Sequence, residues 1–406
     1  MEHYNIGVQY LDAYPEKRNI INQVDQANYV FLADYYRKII DFKLWLRRYS
    51  KLKRIFGNLI YQTSRERYSF FLRVKHDNID FFHFFNSISI KAKQSWGVTF
   101  ETSLPAFEPF SQFHKGHYEN GNLNALKGIE KYLMALLDDK CKFIIAISQC
   151  TFNIQLSILD YFPEYKNAIS SKMYILHPPQ PLLINSIAEK NYDENCINFM
   201  FVGNEFFGKG GVEILHVFEK IKNDYKNFHL YLIGNFLRES SCTQNISTIE
   251  RNKLKLLIYN NIDVITYHES LPNHEILELM KYKIQVGMLP TRGDTYGYTV
   301  LEFQAAGCPV ISTDVRALLE INNEDCGWII NVSKNKFKES YHFNITDLND
   351  LEIQIEIQLA KIIKDILDHP EMIKPKAQNA LNRIKQEHDP ALYSEKLNAI
   401  YNKIEK

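Results

Sequence analysis

From residue 197 onward, short apolar runs alternate with stretches in which apolar side chains recur every three or four positions. Such alternation is typical of strands that alternate with helices in a mostly parallel sheet. The predicted strands are 197–202, 229–233, 262–266, 284–289 and 309–312, and the predicted helices are 211–223, 249–259, 273–280 and 298–306. The pattern therefore predicts a doubly wound α/β domain.

The N-terminal half shows the same alternation less cleanly. Its apolar runs predict strands at 5–10, 81–85, 97–101 and 143–148, with a helix at 124–137. Residues 177–181 contain three prolines, which lack the amide donor that a helix or central strand requires. We therefore place a second Rossmann-like α/β domain at 1–183, before this boundary.

The remaining chain is divided by its helical pattern. The C-terminal Rossmann-like domain is expected at 184–375, and a final helical segment at 376–406 is expected to pack back toward the N-terminal domain. From residue 347 the pattern is helical, with breaks expected near Pro370, Pro375 and Pro390 because proline disrupts a helix interior.

Composition narrows the class of protein. A chain of 406 residues with 45% hydrophobic and 24% charged residues has the size and balance of a two-domain globular protein. No run approaches the roughly 20 apolar residues of a membrane span, so a soluble or peripheral protein is expected. Basic and acidic residues number 48 each, which argues against general nucleic-acid binding. The six cysteines form no Cys-x-x-Cys pair and no signal peptide is visible, so a reducing cytoplasm is expected.

A basic segment at 37–54 interrupts this balance. Eight basic residues and one acid, Asp41, are interleaved there with aliphatic and aromatic side chains. One interpretation is docking on an anionic membrane surface, and the other is an ordinary helix whose basic side chains cover apolar surface.

No metal site is predicted, since His114 and His117 lack a second pair of ligands at suitable spacing.

Two loops carry the candidate chemistry. The first, at 201–211, joins a predicted strand to a predicted helix through Gly203, Asn204, Lys209 and Gly210. Backbone amides at a helix N-terminus, with a lysine ammonium nearby, suit a diphosphate. Alternatively, the glycines serve only the turn.

The second loop precedes the helix predicted at 298–306. It places Asp294 after a strand and Glu302 one turn inside the helix, with Tyr296, Gly297, Tyr298 and Thr299 between them. Ligands of open α/β sheets bind at this carboxyl edge, and an acid there can accept hydrogen bonds from sugar hydroxyls. The alternative is that Asp294 is a turn residue and Glu302 a solvated helix acid.

Together the two blocks resemble the donor-binding half of glycosyltransferase family 4, the group 1 glycosyltransferases. The likeness rests on Lys209, on the acid pair Asp294 and Glu302, and on the Ala-x-Gly-x-Pro-Val-Ile sequence at 305–311. It covers about 197–330 well and the N-terminal half loosely.

The resemblance implies a GT-B fold of two Rossmann-like domains facing a cleft, with the nucleotide sugar on the C-terminal domain and the acceptor on the N-terminal domain. By this likeness Glu302 binds the nucleotide ribose and Asp294 lies near the transferred sugar. Lys209, together with the amides around Gly297 and Tyr298, faces the departing diphosphate and neutralises it. Two departures bear on this reading. Asn204 stands where an arginine is common, and Asp294 replaces the usual glutamate.

In the N-terminal half, Glu101 and His83 are the candidate site residues. Glu101 takes the place where the family often has a histidine near the reacting sugar, and a carboxylate there can orient an acceptor hydroxyl or accept its proton. His83 is either a pocket residue beside it or, as a histidine among four phenylalanines, a core residue.

The resemblance implies the activity of a retaining glycosyltransferase, and we expect it to need neither a metal ion nor a cofactor. It would move a sugar from a nucleotide-diphosphate sugar to a carbohydrate or lipid-linked acceptor, in bacterial surface polysaccharide biosynthesis at the inner face of the membrane. Two alternatives remain: a silent nucleotide-sugar-binding partner subunit, and an epimerase or phosphorylase of the same fold.

Overall fold

The computed structural model describes residues 4–9, 14–31, 76–90, 92–107, 128–190, 195–237, 246–342 and 344–404. The chain divides into two compact units. The first contains the described residues up to Pro179 and those from Pro390 onward, and the second contains those from Gln180 to Asp389. The basic segment at 37–54 and the two histidines His114 and His117 lie outside the described residues.

The first unit is built on a parallel sheet of six described strands in the order β2-β1-β3-β4-β5-β6. The strands are β1 (Tyr4–Val8), β2 (Ala27–Phe31), β3 (Phe81–Phe85), β4 (Trp96–Phe100), β5 (Cys141–Ala146) and β6 (Met173–Ile175). The helices between them are α1 (Tyr14–Asn19), α2 (Glu130–Leu137), α3 (Gln149–Leu159) and α4 (Pro163–Ser170). Every residue of β3 and of β4 is buried, as expected for parallel strands covered on both faces.

The second unit contains another parallel sheet of six described strands, in the order β12-β11-β10-β7-β8-β9. These are β7 (Ile197–Val202), β8 (Phe228–Ile233), β9 (Ile265–His268), β10 (Val286–Leu289), β11 (Val310–Thr313) and β12 (Gly327–Ile330). The connecting helices are α5 (Gly211–Ile221), α6 (Thr248–Tyr259), α7 (Asn273–Tyr282), α8 (Tyr298–Ala305) and α9 (Leu318–Ile321). After β12 follow α10 (Ile345–Asp368) and α11 (Ile373–Glu387).

These elements confirm the predicted fold class, two doubly wound α/β domains with a helical C-terminus, which is the GT-B fold. One expected break is wrong. Pro375 is the third residue of α11, where the helix continues to Glu387. A proline is tolerated there because amides of the first helical turn have no intrahelical partner.

The last helix, α12 (Pro390–Tyr401), belongs to the first unit. Its apolar side chains pack into the core of the first sheet, in a cluster that includes Tyr4, Ile6, Phe81, Phe143, Tyr393, Leu397, Ile400 and Tyr401. The change from the second unit to the first therefore comes at Pro390, between α11 and α12.

Candidate functional site

The strand order of the second sheet contains a switch point between β7 and β10. From β7 the chain proceeds outward to β8 and β9, and then returns to the other side of β7 with β10, β11 and β12. Ligands of open α/β sheets bind at such a point, in the crevice outside the carboxyl ends of the strands, beside the loops that follow the two adjacent strands. Here they are residues 203–210, after β7, and residues 290–297, after β10.

The two loops touch at Gly210. This residue has φ +89° and leads directly into α5. A Cβ atom placed on it would lie 2.2 Å from the carbonyl oxygen of Pro290, closer than any real contact. Only glycine combines the left-handed backbone with this approach, so the sequence at 210 is set by the contact between the loops.

Asp294 organises the second loop. Its Oδ1 accepts hydrogen bonds from the amides of Tyr296 at 3.1 Å and of Gly297 at 2.9 Å. Gly297 has φ +94° and is the residue before the first turn of α8. The carboxylate therefore lies at the positive N-terminal end of this helix, where a negative charge is favourable.

Lys209 joins the two loops through an ion pair. Its Nζ donates to Asp294 Oδ2 at 2.7 Å and to the carbonyl oxygen of Gly293 at 3.1 Å. The two side chains are 22% and 14% exposed, so solvent screens their attraction only partly. Burial alone would raise the pKa of Asp294, but the Lys209 charge and the two amides outweigh it and hold that pKa below its ordinary value.

The expected arrangement of amides differs from the observed one. We predicted that the amide of Gly297 would face a ligand, but it donates to Asp294. Tyr298 and Thr299 stand in the first turn of α8, and Glu302 lies one turn further on; all three are partly exposed. Positions three and four apart share one face of a helix, so Glu302 lies on the same face of α8 as Tyr298 and Thr299.

The other predicted residues of this unit are also placed. Gly203 follows β7 directly, and Asn204 beside it is exposed. Tyr296, in contrast, has no exposed surface, and its amide donates to Asp294.

A buried ion-pair network behind the loops was missed in the sequence. Arg292 Nε donates to Glu213 Oε1 at 2.9 Å, and Arg292 Nη2 donates to Glu352 Oε1 at 2.5 Å. The side chain of Glu213, in the first turn of α5, has no exposed surface, and burial raises its pKa although Arg292 opposes this. An arginine and an acid 79 positions apart carry no local sign that they pair.

In the first unit, Glu101 stands directly after β4 and Asn86 directly after β3. Asn86 Nδ2 donates to Glu101 Oε2 at 3.2 Å, and the Glu101 amide donates back to Asn86 Oδ1 at 3.1 Å. The partly exposed Glu101 carboxylate is thereby fixed at the carboxyl edge of the first sheet.

His83 lies in the core and not at this edge. It has no exposed surface, and its ring nitrogens bond the Tyr401 hydroxyl at 2.7 Å and Thr99 Oγ1 at 2.8 Å. Burial lowers its pKa to about 3. Of the two interpretations of His83, the structure supports the core residue, so the prediction that it lines the substrate pocket is wrong for this structure.

Among the described residues, no group of three or more His, Cys, Asp or Glu side chains is arranged to hold a metal ion. None of the helices that these residues form has both the length and the apolar character that a membrane span requires.

The part of the chain that contains both loops is similar to a known protein family. Residues 185–343, which contain both loops, match the family model described as "Glycosyl transferases group 1". None of the curated protein sequences matches this chain at a significant level.

Solved structures share the fold at low identity. HepE from Anabaena in complex with UDP covers 100% of this chain and is itself covered 100%, at 12% identity and a TM-score of 0.57. Sucrose-phosphate synthase from Thermosynechococcus elongatus gives 16% identity and a TM-score of 0.54, with 87% of this chain and 78% of that chain covered. WaaG, a glycosyltransferase involved in lipopolysaccharide biosynthesis, gives 16% identity and a TM-score of 0.51, with 84% of this chain and 82% of that chain covered. These neighbours show the GT-B fold, and the family match places both loops in a region that is similar to the group 1 glycosyl transferases.

Proposed function

We propose that this chain is a retaining glycosyltransferase that moves a sugar from a nucleotide-diphosphate sugar to an acceptor hydroxyl. One observation carries the proposal. Lys209 and Asp294 meet at the switch point of the second sheet, inside the region that matches the group 1 glycosyltransferase model. A mobile cation and two helix N-termini at such an edge are what a diphosphate requires.

In this proposal the donor lies along α8 and the loop that carries Lys209. Lys209 and the first-turn amides of α5 and α8 meet the diphosphate, and Glu302 accepts hydrogen bonds from the ribose. Asp294 lies near the transferred sugar. Since its two oxygens are bonded to Lys209 and to two amides, its first task is to fix these donors, and the diphosphate competes with it for Lys209.

Catalysis follows from the charge on the leaving group. As the bond between sugar and diphosphate breaks, negative charge grows on the phosphate oxygens, and preorganised amides with Lys209 stabilise it more than bulk water does. These groups can meet that charge without a metal ion. The acceptor attacks from the side of the leaving group, and the diphosphate takes its proton, so the anomeric configuration is retained without a covalent nucleophile.

Glu101 is the candidate group on the acceptor side. Its carboxylate is held by Asn86 and is partly exposed at the carboxyl edge of the first sheet. A carboxylate in this position can orient the acceptor hydroxyl. Here we assign Glu101 to the acceptor and not to the donor, because it belongs to a different unit from Lys209.

The setting we propose is bacterial surface polysaccharide assembly, with a carbohydrate or lipid-linked acceptor and a cytoplasmic location at the inner membrane face. WaaG, which shares the fold, is described as a lipopolysaccharide enzyme. The basic segment at 37–54, which would reach the membrane, lies outside the described residues. Uridine donors come first in the tests because HepE was solved with UDP and with UDP-glucose.

The test is a thermal-shift panel of UDP-, GDP- and ADP-sugars, followed by transfer or hydrolysis of the radiolabelled donor that stabilises the protein. A bound donor raises the unfolding temperature by mass action. We expect one base to be selected and the labelled sugar to be released or transferred with retention. Stabilisation without any turnover would indicate the silent partner subunit instead, and no stabilisation by any donor would refute nucleotide-sugar binding.

A further inference from the structure

Arg292 connects the two loops of the candidate site on both sides of Lys209. Its amide donates to the carbonyl oxygen of Gly208 at 3.0 Å, one residue before Lys209. Its guanidinium pairs with Glu213, four residues after Lys209, at 2.9 Å. Asp294, the partner of Lys209, lies two residues beyond Arg292 in the chain. The contacts of Arg292 therefore lie on both sides of Lys209 in the sequence, and Arg292 lies close to Asp294 in its own loop.

Arg292 also makes contacts outside the two loops, with α10 and with the segment that precedes it. Arg292 Nη2 pairs with Glu352 on α10 at 2.5 Å, and the Arg292 carbonyl oxygen accepts a hydrogen bond from the Ser340 hydroxyl. Thr291 adds at most a weak link, since its single hydroxyl hydrogen is shared between the Gly293 carbonyl oxygen at 2.7 Å and the Gly208 carbonyl oxygen at 3.2 Å. The loops are thus held against a long helix and not only against each other.

The Arg292–Glu213 part of this network is buried, whereas the Glu352 side chain is 39% exposed. The Arg292 side chain is 6% exposed and that of Glu213 has no exposed surface. Glu213 Oε2 has no hydrogen-bond partner among the described residues, so Arg292 is the principal compensation for this buried carboxylate. A guanidinium presents its donors in a fixed planar fork, whereas the single ammonium of a lysine does not bridge two carboxylates in a defined geometry.

We infer that Arg292 is a positioning residue, which acts through Glu213 and Glu352 to set the distance between Lys209 and the N-terminus of α8 for a diphosphate. This inference rests on the proposed function. Arg292 touches neither the phosphate nor the sugar in this scheme. Its effect is the placement of Lys209, and misplacing a binding group by about 1 Å can cost on the order of 100-fold in rate.

The test must separate an effect of Arg292 on the placement of Lys209 from an effect on the stability of the folded protein. Arg292→Met alone leaves Glu213 buried without a partner and is expected to unfold easily. The double variant Arg292→Met with Glu213→Leu replaces the buried ion pair by apolar side chains of similar volume, which often restores stability. Wild type and variants are titrated by calorimetry with UDP, GDP and ADP, and their unfolding temperatures are measured in parallel.

We expect the double variant to unfold near the wild-type temperature but to bind the preferred nucleoside diphosphate about 10-fold more weakly, with a raised KM for the donor. Equal affinity in the folded double variant would refute the positioning role while leaving the proposed function intact. If the wild type binds none of the three diphosphates, the proposed function fails, and this inference with it.

Two single variants of α10 keep the inference testable if the double variant does not fold. Glu352→Gln removes a carboxylate that pairs with Arg292, and Glu356→Gln, one turn later, removes one that pairs with His216 and Lys220 of α5. Diphosphate affinity should fall in Glu352→Gln and remain unchanged in Glu356→Gln. Equal affinities in both variants would overturn the inference.

Discussion

Lys209 Nζ lies 2.7 Å from Asp294 Oδ2, although 85 positions separate the two residues in the chain. The contact exists because β7 and β10 are neighbours in the second sheet, so the loops that follow them begin side by side. A cation and a carboxylate that converge in this way can hold each other in place and can exchange partners when a charged ligand enters.

Removal of the lysine charge tests the cation of this pair. Lys209→Met should weaken binding of the preferred nucleoside diphosphate by about 10-fold to 100-fold, since a hydrogen bond to a charged group contributes roughly 1.5–3 kcal/mol. Calorimetric titration measures this. Lys364→Met, at a half-exposed lysine on α10, is the control and should bind as the wild type does. Equal affinities in the two variants would exclude Lys209 from the binding site.

Removal of the carboxylate charge should have the opposite effect on binding. Asp294→Asn releases Lys209 from its ion pair, so a diphosphate no longer competes for it, and affinity should rise about fivefold for an interaction near 1 kcal/mol. Turnover should fall, because the amides of Tyr296 and Gly297 lose their charged acceptor. Titration and a steady-state assay measure the two effects separately. Weaker binding in this variant would mean that Asp294 supports the diphosphate and does not compete with it.

Gly210 offers a test of the contact between the loops. Gly210→Ala places a Cβ atom 2.2 Å from the Pro290 carbonyl oxygen, in a backbone conformation with φ +89°. The left-handed conformation alone costs roughly 1–2 kcal/mol for a residue with a side chain. We expect a lower unfolding temperature and loss of diphosphate binding as the loops separate.

The control for this variant is Gly128→Ala. Gly128 has φ +91°, but nothing lies within 4 Å of the position of its Cβ. The two variants therefore share the backbone strain and differ in the collision. Gly128→Ala should lower the unfolding temperature modestly and leave diphosphate binding unchanged, and equal binding losses in both would refute the contact as the cause.

Features that depend on residues close together in the chain could be predicted from the sequence, whereas contacts between distant residues could not. Strands β3 and β7 were predicted with their observed bounds, because an apolar run of five or six residues is a local signal. The two loops were located for the same reason, since a glycine-bearing turn between a strand and a helix is visible in the chain itself.

The hydrogen-bond and ion-pair partners of side chains were much harder to predict from the sequence. The Gly297 amide donates to Asp294, as the interpretation of Asp294 as a turn residue implies, but the motif alone did not decide between this and an amide that faces a ligand. Arg292 pairs with acids on α5 and α10 that only the tertiary fold brings near. Whether a proline ends a helix depends on its position in that helix, and Pro375 lies in the first turn, where it is tolerated. Whether a histidine is buried depends on the packing of its strand, and His83 lies in the core.

On the acceptor side, Glu101→Gln should leave diphosphate affinity unchanged and lower turnover. If the carboxylate takes part in proton transfer, the loss is about 100-fold or more; a smaller loss indicates orientation of the acceptor through the pair with Asn86. Steady-state kinetics with the preferred donor distinguishes these cases. Glu164→Gln, at an exposed acid of the same unit, serves as the control. Full turnover in Glu101→Gln would remove Glu101 from the mechanism.

His83 predicts how the first unit responds to acid. Burial lowers its folded-state pKa from 6.5 to about 3, whereas the unfolded chain takes up the proton near pH 6.5. The stability from neutral His83 is therefore complete above pH 6.5 and is lost as pH falls toward 3, by up to about 1.4 kcal/mol per pH unit. Buried His342, with a pKa lowered to about 4 by burial, adds the same trend in the second unit.

Urea unfolding of His83→Gln between pH 7 and pH 4 tests this dependence. Glutamine cannot take up a proton, but its amide can still bond the Tyr401 hydroxyl and Thr99, which bond His83 in the wild type. The variant should be less stable at pH 7 and should lose less stability on acidification, because one proton-uptake site is gone. His369→Gln, at an exposed histidine, should keep the wild-type dependence. An unaltered pH slope in His83→Gln would show that His83 is protonated in the folded protein as readily as in the unfolded chain, contrary to its burial.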